Sequence, residues 1–321
     1  MSDALPLEPR PRFGVMTQVF DGDQARRMAK AYVDWGYQSL WIGDHIAFQG
    51  PINDPLTQIA FFAALAPQLM FGTCVYLVPL RHPTAIAKMV ATVDRLVGAG
   101  RLIFGVGVGG EYPPEFEASG VPVKQRGGRA NECLPLLRRL WSEPKVEHHG
   151  KYFDFGEIRL EPKPLTPGGP PIWVGGRSEA ALKRVAALGD GWMPYVVTPK
   201  RFAEGIDFIA ADAALHGRKI ERFGTGILLF CSIDESYERA LDRAAENLSK
   251  RYGMDFREPA RRYGALGRPA DVAAKIAEFI KAGVRDFSID AIGTGEIRIV
   301  QLERFAREVI PLLATSSAPS P

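Results

Sequence analysis

The chain has 321 residues, 46% of them hydrophobic, and its 40 Lys and Arg residues nearly balance 37 Asp and Glu residues, which leaves a net charge of +3. Because the basic residues are also scattered, this balance excludes the basic footprint of a nucleic-acid-binding protein. No apolar run is long enough to cross a bilayer, and residues 1–11 do not resemble a signal peptide, so we expect no membrane association. Three isolated cysteines (Cys74, Cys133 and Cys231) suit a reducing compartment, which predicts a cytoplasmic protein.

Strand-like and helix-like segments alternate along the chain. Nearly continuous apolar segments, typical of parallel strands buried on both faces, occupy residues 13–18, 39–43, 70–77, 102–108, 171–175, 191–196, 226–232 and 286–292. Periodicity and capping residues predict helices over 23–35, 83–98, 178–188, from 198 onward, 269–282 and 301–312. Eight strands in this alternation favour an α/β fold, a (β/α)₈ TIM barrel, over an open doubly wound sheet.

We expect one main domain, since no second type of composition interrupts the pattern. Residues 1–12 form an N-terminal extension, residues 13–313 the barrel, and residues 314–321 a flexible tail. An insertion over residues 141–170 separates strands four and five, and its segments 152–155 and 158–160 predict a small hairpin. Such an insertion either shapes a substrate pocket or only decorates the packing.

In a barrel, the active site lies where the strands end and the following loops begin. Asp44 and His45 follow the second strand and are candidate catalytic residues, with His45 moving a proton and Asp44 orienting it or fixing the loop. A loop-capping pair without chemistry is the alternative. In the third strand, Thr73 and Cys74 are candidates to reach a ligand, although a buried Cys is more often a core residue.

Two glycine-rich strand ends are candidate cofactor sites. The run from Gly105 to Gly110 allows close approach of a ring or a phosphate, or simply tight packing. Because Pro113 and Pro114 follow, we expect no immediate helix there and reject a dinucleotide-binding fingerprint.

The fifth strand ends in Gly175-Gly176-Arg177-Ser178, where exposed amides, a positive charge and a capped helix start predict a phosphate site rather than a plain capped loop. Tyr195, at the end of the sixth strand, is a further candidate cofactor contact. The five histidines form no metal-ligand pair, so we predict no metal site.

Together these segments resemble the luciferase-like monooxygenase superfamily, and especially its coenzyme F420-dependent branch. The matching stretches are residues 41–45, 72–83, 91–96 with Gly100-Arg101, 105–109 with Glu115-Phe116, Arg126 and Glu132, 170–176 and 189–192. The similarity extends over residues 13–312. The order and spacing of these stretches, rather than any single motif, carry the resemblance.

The resemblance implies a barrel with FMN or the deazaflavin F420 at its mouth, and a homodimer. It implies an often cis peptide near Thr73-Cys74-Val75 behind the ring, and it implies cofactor contacts by Val106, Gly107, Val108, Gly109, Gly175, Gly176, Arg177 and Ser178. The resemblance also implies that Asp44 and His45 face the ring of the cofactor. Gly110 departs from the Trp common in close relatives, and some sugar-phosphate dehydrogenases carry a catalytic Glu nearby, so Glu111 becomes a third catalytic candidate.

The first functional hypothesis is hydride transfer between F420 and a small organic substrate, with His45 moving the proton. The alternative is an FMN-dependent two-component monooxygenase that uses O₂ and reduced flavin from a partner flavin reductase. FMN-dependent members often carry additional histidines and arginines at the mouth, so the few histidines here favour F420. A barrel that binds a flavin or deazaflavin without catalysis is the third hypothesis.

Overall fold

The computed structural model describes residues 5–17 and 19–315. Gln18, the last residue of the first predicted strand, and residues 316–321 of the predicted tail lie outside the described residues. The strands are β1 (Arg12–Met16), β2 (Ser39–Ile42), β3 (Met70–Thr73), β4 (Tyr76–Leu77), β5 (Leu102–Gly107), β6 (Val146–His149), β7 (Asp154–Ile158), β8 (Ile172–Gly175), β9 (Gly191–Met193), β10 (Gly224–Ile233), β11 (Ala265–Gly267) and β12 (Asp286–Ala291).

The helices surround these strands. They are α1 (Gly22–Asp34), α2 (Pro55–Leu65), α3 (Pro83–Val97), α4 (Pro113–Ala118), α5 (Arg126–Ser142), α6 (Glu179–Leu188), α7 (Pro199–Leu215), α8 (Tyr237–Tyr252), α9 (Arg257–Tyr263), α10 (Pro269–Lys281), α11 (Gly295–Arg304) and α12 (Ile310–Thr315), with a π-helical turn over Phe305–Val309 between the last two. In the part of the chain that the structure describes, no helix is long and apolar enough to span a membrane.

The sheet closes on itself as a parallel barrel. β1 pairs with both β2 and β12, and the ladder continues through β3, β5, β8, β9 and β10 back to β12. β4 continues the third barrel strand after a break and pairs with β5. This closed ring of eight strands with surrounding helices confirms the predicted (β/α)₈ TIM barrel.

Two tryptophans and several glycines fill the barrel interior. The rings of Trp41 and Trp173 lie 5.7 Å apart, and both pack with Ile103. A Cβ atom at Gly72 would lie 2.3 Å from the ring of Trp41, so only glycine fits opposite that side chain. The interior is therefore packed with side chains, and a ligand must sit above it, at the carboxyl ends of the strands.

Side-chain caps begin several helices where the sequence predicts them. Ser178 accepts a hydrogen bond from the amide of Ala181 at the start of α6, and Thr198 accepts one from the amide of Arg201 at the start of α7. These caps satisfy amides that have no partner within the helix. They also fix where α6 begins relative to the end of β8.

The prediction that Pro113 and Pro114 block an immediate helix is wrong, because α4 begins at Pro113. Proline is tolerated in the first turn of a helix, where its missing N–H has no intrahelical partner. The rejection of a dinucleotide-binding fold is unaffected, since the closed barrel decides it independently.

The insertion after α5 does contain a hairpin, but its strands are β6 and β7 rather than residues 152–155 and 158–160. The carboxylate of Glu132 accepts hydrogen bonds from the amides of Tyr152 and Phe153 at 3.0–3.2 Å, and these bonds hold the aromatic segment as the turn between the strands. Burial raises the pKa of Glu132, but hydrogen bonds from His148 and from these amides outweigh it and leave the pKa below its usual value.

Candidate active site at the carboxyl ends of the barrel strands

A cavity of about 560 Å³ opens at the carboxyl ends of the strands, as expected for a barrel enzyme. All but two of the predicted site residues line it: Asp44, His45, Cys74, Val75, Gly107, Val108, Gly109, Glu111, Gly175, Gly176, Arg177, Ser178 and Tyr195. The chain thus brings predicted residues from the ends of five barrel strands, among them His45 and Arg177, to one cavity.

Thr73 and Val106 are the two exceptions. The hydroxyl of Thr73 donates a hydrogen bond to the carbonyl of Gly105 at 2.6 Å and is fully buried. Val106 packs in the core between the barrel and its helices. Successive side chains of a strand point to opposite faces, and these two do not line the cavity, so their contact with a cofactor stays a prediction.

Val75 forms a platform at the base of the cavity. The peptide bond between Cys74 and Val75 is cis, as the resemblance implies. A Cβ atom at Gly107 would lie 2.4 Å from Cγ2 of Val75, and one at Gly175 would lie 3.0 Å from Cγ1. The glycines of β5 and β8 therefore make room for the Val75 side chain beneath the cavity.

The thiol of Cys74 is poorly suited to act as a nucleophile. Burial, with a smaller contribution from the nearby carboxylate of Asp290, raises the pKa of Cys74 to about 12. The thiol therefore stays neutral near pH 7, and a neutral thiol reacts slowly.

His45 is held by a carboxylate that the sequence analysis did not assign to this role. Nδ1 of His45 lies 3.0 and 3.1 Å from the two carboxylate oxygens of Glu115, whose side chain is fully buried in the first turn of α4. The imidazole also stacks on the ring of Phe48 at 4.1 Å. Because Glu115 engages Nδ1, Nε2 is the ring nitrogen left for a ligand in the cavity.

Asp44 does not orient His45. Its buried carboxylate accepts hydrogen bonds from Arg81 at 2.6 and 2.8 Å and from the amide of Leu77 at 2.8 Å. Burial lowers the pKa of Arg81, but the hydrogen bonds and charge of Asp44 outweigh it and raise that pKa above its ordinary value. Of the two roles predicted for Asp44, fixing its own loop after β2 is therefore the one that its contacts support, since they tie that loop to Leu77 and Arg81.

Glu111 lines the cavity and pairs with Tyr195. The Tyr195 hydroxyl is in short contact with a Glu111 carboxylate oxygen, and the Arg177 guanidinium lies 5.2 Å from the centre of the Tyr195 ring. Burial and the charge of Glu111 raise the pKa of Tyr195, so its hydroxyl remains a donor near neutral pH. The adjacent Gly110 has a φ of +108°, and a Cβ atom there would lie 2.9 Å from Nε of Arg126, which explains why a Trp does not fit at this position.

An ion cluster at the end of β12 reaches the cavity, where Asp290 and Arg251 form part of the lining. Asp290 accepts hydrogen bonds from Arg251 at 2.6 Å and from Arg298 at 2.7 Å. Burial raises the pKa of Asp290, but the two guanidinium groups outweigh it and lower the pKa below the ordinary value. The sequence analysis named none of these residues, although the rule on strand ends would have selected Asp290.

Several positively charged side chains line the cavity where α5 and α6 meet. The capped N-terminus of α6 meets the Gly175–Gly176 turn there, and Lys124, Arg126, Arg177 and Arg184 line the same part of it. A helix N-terminus, exposed amides and cations together favour a bound anion. The arrangement fits the phosphate site that the sequence predicts, and it fits a flavin or a deazaflavin cofactor equally.

The family model for luciferase-like monooxygenases matches residues 7–308. The chain belongs to this family. This membership confirms the family resemblance found in the sequence.

The curated relatives of this chain include a monooxygenase and an F420-dependent dehydrogenase. An uncharacterized protein of Mycobacterium tuberculosis is 33% identical over 186 residues, which is 52% of this chain and 63% of that protein. A 4-hydroxyprotoasukamycin monooxygenase of Streptomyces nodosus subsp. asukaensis is 28% identical over 86% of this chain and 79% of its own length. An F420-dependent glucose-6-phosphate dehydrogenase of Kineococcus radiotolerans is 26% identical over 87% of this chain and 89% of its own length.

Among solved structures, an F420-dependent secondary alcohol dehydrogenase in complex with an F420-acetone adduct superposes with a TM-score of 0.83. The two chains share 18% sequence identity over 95% of this chain and 99% of the other. This similarity supports the barrel fold. The names of these relatives print both an F420-dependent dehydrogenase and a monooxygenase, and they do not decide the cofactor of this chain.

Proposed function

We propose that this protein is a coenzyme F420-dependent oxidoreductase that transfers a hydride to or from a small organic substrate. The observation that carries the proposal is the pairing of His45 with the fully buried carboxylate of Glu115 at the edge of a cavity that several cations also line. One part of the cavity is thus equipped to move a proton and another to hold an anion.

The residues that would hold the cofactor are those of the Gly175–Ser178 turn, at the start of α6, and Val75. The amides of Gly175 and Gly176, with Arg177 and Ser178, would bind its phosphate, and Val75 would support its ring. When bound, the deazaflavin supplies a carbon centre that accepts or donates a hydride.

The chain itself supplies the accompanying proton transfer. With Glu115 fixing Nδ1, the Nε2 atom of His45 takes up the substrate proton as the substrate is oxidised, or returns it in the reverse direction. The buried carboxylate stabilises the imidazolium that forms. Phe48 fixes the plane of the imidazole by stacking, and apolar contacts of this kind exclude water from the proton path.

The second candidate is an FMN-dependent monooxygenase supplied by a flavin reductase. The name of the Streptomyces relative favours it, and the cations beside the Gly175–Ser178 turn suit the phosphate of FMN. In that case His45 would contact the oxygenated substrate instead. A homodimer and a cytoplasmic location remain predictions under either candidate.

The proposal is tested by following F420 absorbance during a screen of alcohols, aldehydes and other small acceptors. We expect turnover with at least one of them, and His45→Ala should lower that turnover about 10²- to 10⁴-fold, the range for a lost acid–base group, while F420 still binds. Unchanged turnover in His45→Ala would remove its proposed role. Turnover only with reduced FMN and O₂ would favour the monooxygenase.

A further inference from the structure

Arg251, the penultimate residue of α8, is a charged residue of the cavity lining that the proposed proton transfer does not use. Its side chain is only 21% exposed, and its Nη1 atom donates a hydrogen bond to Oδ2 of Asp290 at 2.6 Å. Among the described residues, its other hydrogen-bonding partner is the hydroxyl of Tyr252. Because a guanidinium carries five N–H donors, several of them are left for a ligand in the cavity.

The ion cluster around Arg251 carries a net positive charge. Among the described residues, Arg251 and Arg298 form ion pairs with Asp290 alone. Arg298 also donates hydrogen bonds to two backbone carbonyls, so it belongs to the framework rather than to the lining. Glu111 contacts the Tyr195 hydroxyl and forms no ion pair with either arginine. Two guanidinium groups thus share one carboxylate, and Arg251 is the one that reaches the cavity.

The cluster lies two strands away from the residue that moves the proton. β12, which carries Asp290, pairs with β1, and β1 pairs with β2, which leads to His45. Neighbouring strands are about 4.8 Å apart, so the ends of β12 and β2 are separated by about 10 Å. Between them, Met16 at the end of β1 adds an apolar side chain to the lining. A small molecule that lies over Met16 can therefore meet His45 with one polar group and Arg251 with another.

A carboxylate matches this arrangement better than a phosphate does. The surplus of the cluster is one positive charge, which equals the charge of one carboxylate, whereas a phosphate monoester carries about −1.5 to −2 near neutral pH. The planar guanidinium of Arg251 also suits two parallel hydrogen bonds to a carboxylate.

The hydroxyl of Tyr252 is a further donor beside Arg251. Burial raises the pKa of Tyr252, and the charge of Arg251 offsets only part of this effect, so the hydroxyl stays protonated near neutral pH. The ring stacks on that of Phe256, with 5.0 Å between the centroids, and this contact holds Tyr252 in place at the cavity. Two neutral-to-cationic donors thus converge on the same side of the cavity.

We infer that Arg251, oriented by Asp290, is a specificity-determining residue that binds the carboxylate of the substrate, with Tyr252 as a second donor. The substrates are then small hydroxy acids, or the oxo acids formed from them. In the direction of oxidation, the hydroxyl-bearing carbon gives its hydride to the cofactor, the hydroxyl proton passes to Nε2 of His45, and the carboxylate stays bound unchanged. The inference rests on the proposed function, because it names the substrate class of that hydride transfer.

The first test compares kcat/KM for hydroxy acids of several chain lengths and for their neutral amides, in the F420 absorbance assay. For the wild type we expect at least one acid to exceed its amide about 10- to 100-fold, as charged hydrogen bonds allow. In Arg251→Gln this preference should disappear, mainly through a higher KM for the acid, while kcat/KM for the amide falls much less. Arg251→Lys, which keeps the charge without the planar fork, should retain part of the preference.

Calorimetric titration of the protein with the same acid and amide measures the contact without turnover. The wild type should bind the acid more tightly than the amide, and Arg251→Gln should not. Arg257→Gln is the matched control, because Arg257 is an arginine outside the cavity that pairs with Asp242, and it should retain the wild-type preference. Thermal unfolding should show that Arg251→Gln is folded, since Asp290 keeps Arg298 as its partner.

Three results would overturn the inference and leave the proposed function standing: equal wild-type values for acids and amides, an acid preference that persists in Arg251→Gln, or a stronger preference for a phosphate ester of the same chain length. Absence of F420-dependent turnover with every acid, amide and alcohol would overturn the proposed function instead. A calorimetric preference for the acid that Arg251→Gln abolishes would still support the carboxylate site in that case.

Discussion

Replacing Glu115 by Gln tests the proton-transfer site without removing the histidine. The carboxylate is fully buried, and its two oxygens lie 3.0 and 3.1 Å from Nδ1 of His45, so the substitution removes a charge-assisted hydrogen bond. A bond of this kind contributes about 1.5–3 kcal/mol. Because it stabilises the imidazolium, we expect its loss to lower kcat about 10- to 150-fold, at 1.36 kcal/mol for each factor of ten.

The assay is steady-state turnover followed by F420 absorbance, with cofactor affinity measured in parallel. Cofactor affinity should change less than about twofold, because Glu115 does not line the cavity. Glu117→Gln, two residues further along α4 and exposed, is the matched control and should retain full turnover. Adding Glu115→Gln to His45→Ala should cause no further loss of turnover if the two side chains act together. Full turnover in Glu115→Gln, or equal losses in both Glu variants, would refute the reasoning.

Three further predictions concern the framework of the site. Asp44→Asn removes the buried carboxylate that Arg81 bonds at 2.6 and 2.8 Å and leaves it only the half-exposed Asp54 at 3.9 Å, so it should lower the free energy of unfolding by about 3 kcal/mol in urea titrations. Gly107→Ala puts a Cβ atom 2.4 Å from Cγ2 of Val75 and should cost about 1–3 kcal/mol by the same measurement. The lowered pKa of Asp290 contributes stability that is fully present above its unfolded value of about 3.9 and is lost as the pH falls through the folded value, so Asp290→Asn should flatten the acid limb of stability against pH.

Each of these three predictions has a result that would contradict it. Wild-type stability in Asp44→Asn would show that the loop does not depend on the Arg81 pair. Unchanged stability in Gly107→Ala would mean that the Val75 side chain can move away from the added Cβ atom at little energetic cost. Parallel acid limbs for the wild type and Asp290→Asn would assign the acid sensitivity to other carboxylates.

The barrel could be predicted from the sequence because its strands are short, apolar and regularly spaced. The start of α6 was equally predictable, since Ser178 is a side-chain cap with a local hydrogen-bond partner. The break in the third barrel strand and the place of the hairpin were not predictable from local pattern. The turn of the hairpin depends on Glu132 of the preceding helix, which the sequence offered only as a position matching the family and not as a partner of the hairpin.

The same limit applies to the site. Strand-end position was enough to select His45 and the Gly175–Gly176 turn, but it did not identify the partners of the three catalytic candidates. Glu115 reaches His45 from 70 residues away along the chain, and Arg251 reaches Asp290 from the end of α8. Such contacts follow from tertiary packing, which one sequence does not specify locally.

The most direct measurement is a pair of equilibrium titrations of the purified protein with F420 and with FMN, followed by the absorbance and fluorescence of each ring. The account predicts saturable binding of F420, weakened by replacement of Arg177, and markedly weaker binding of FMN. Tight FMN binding without measurable F420 binding would contradict it.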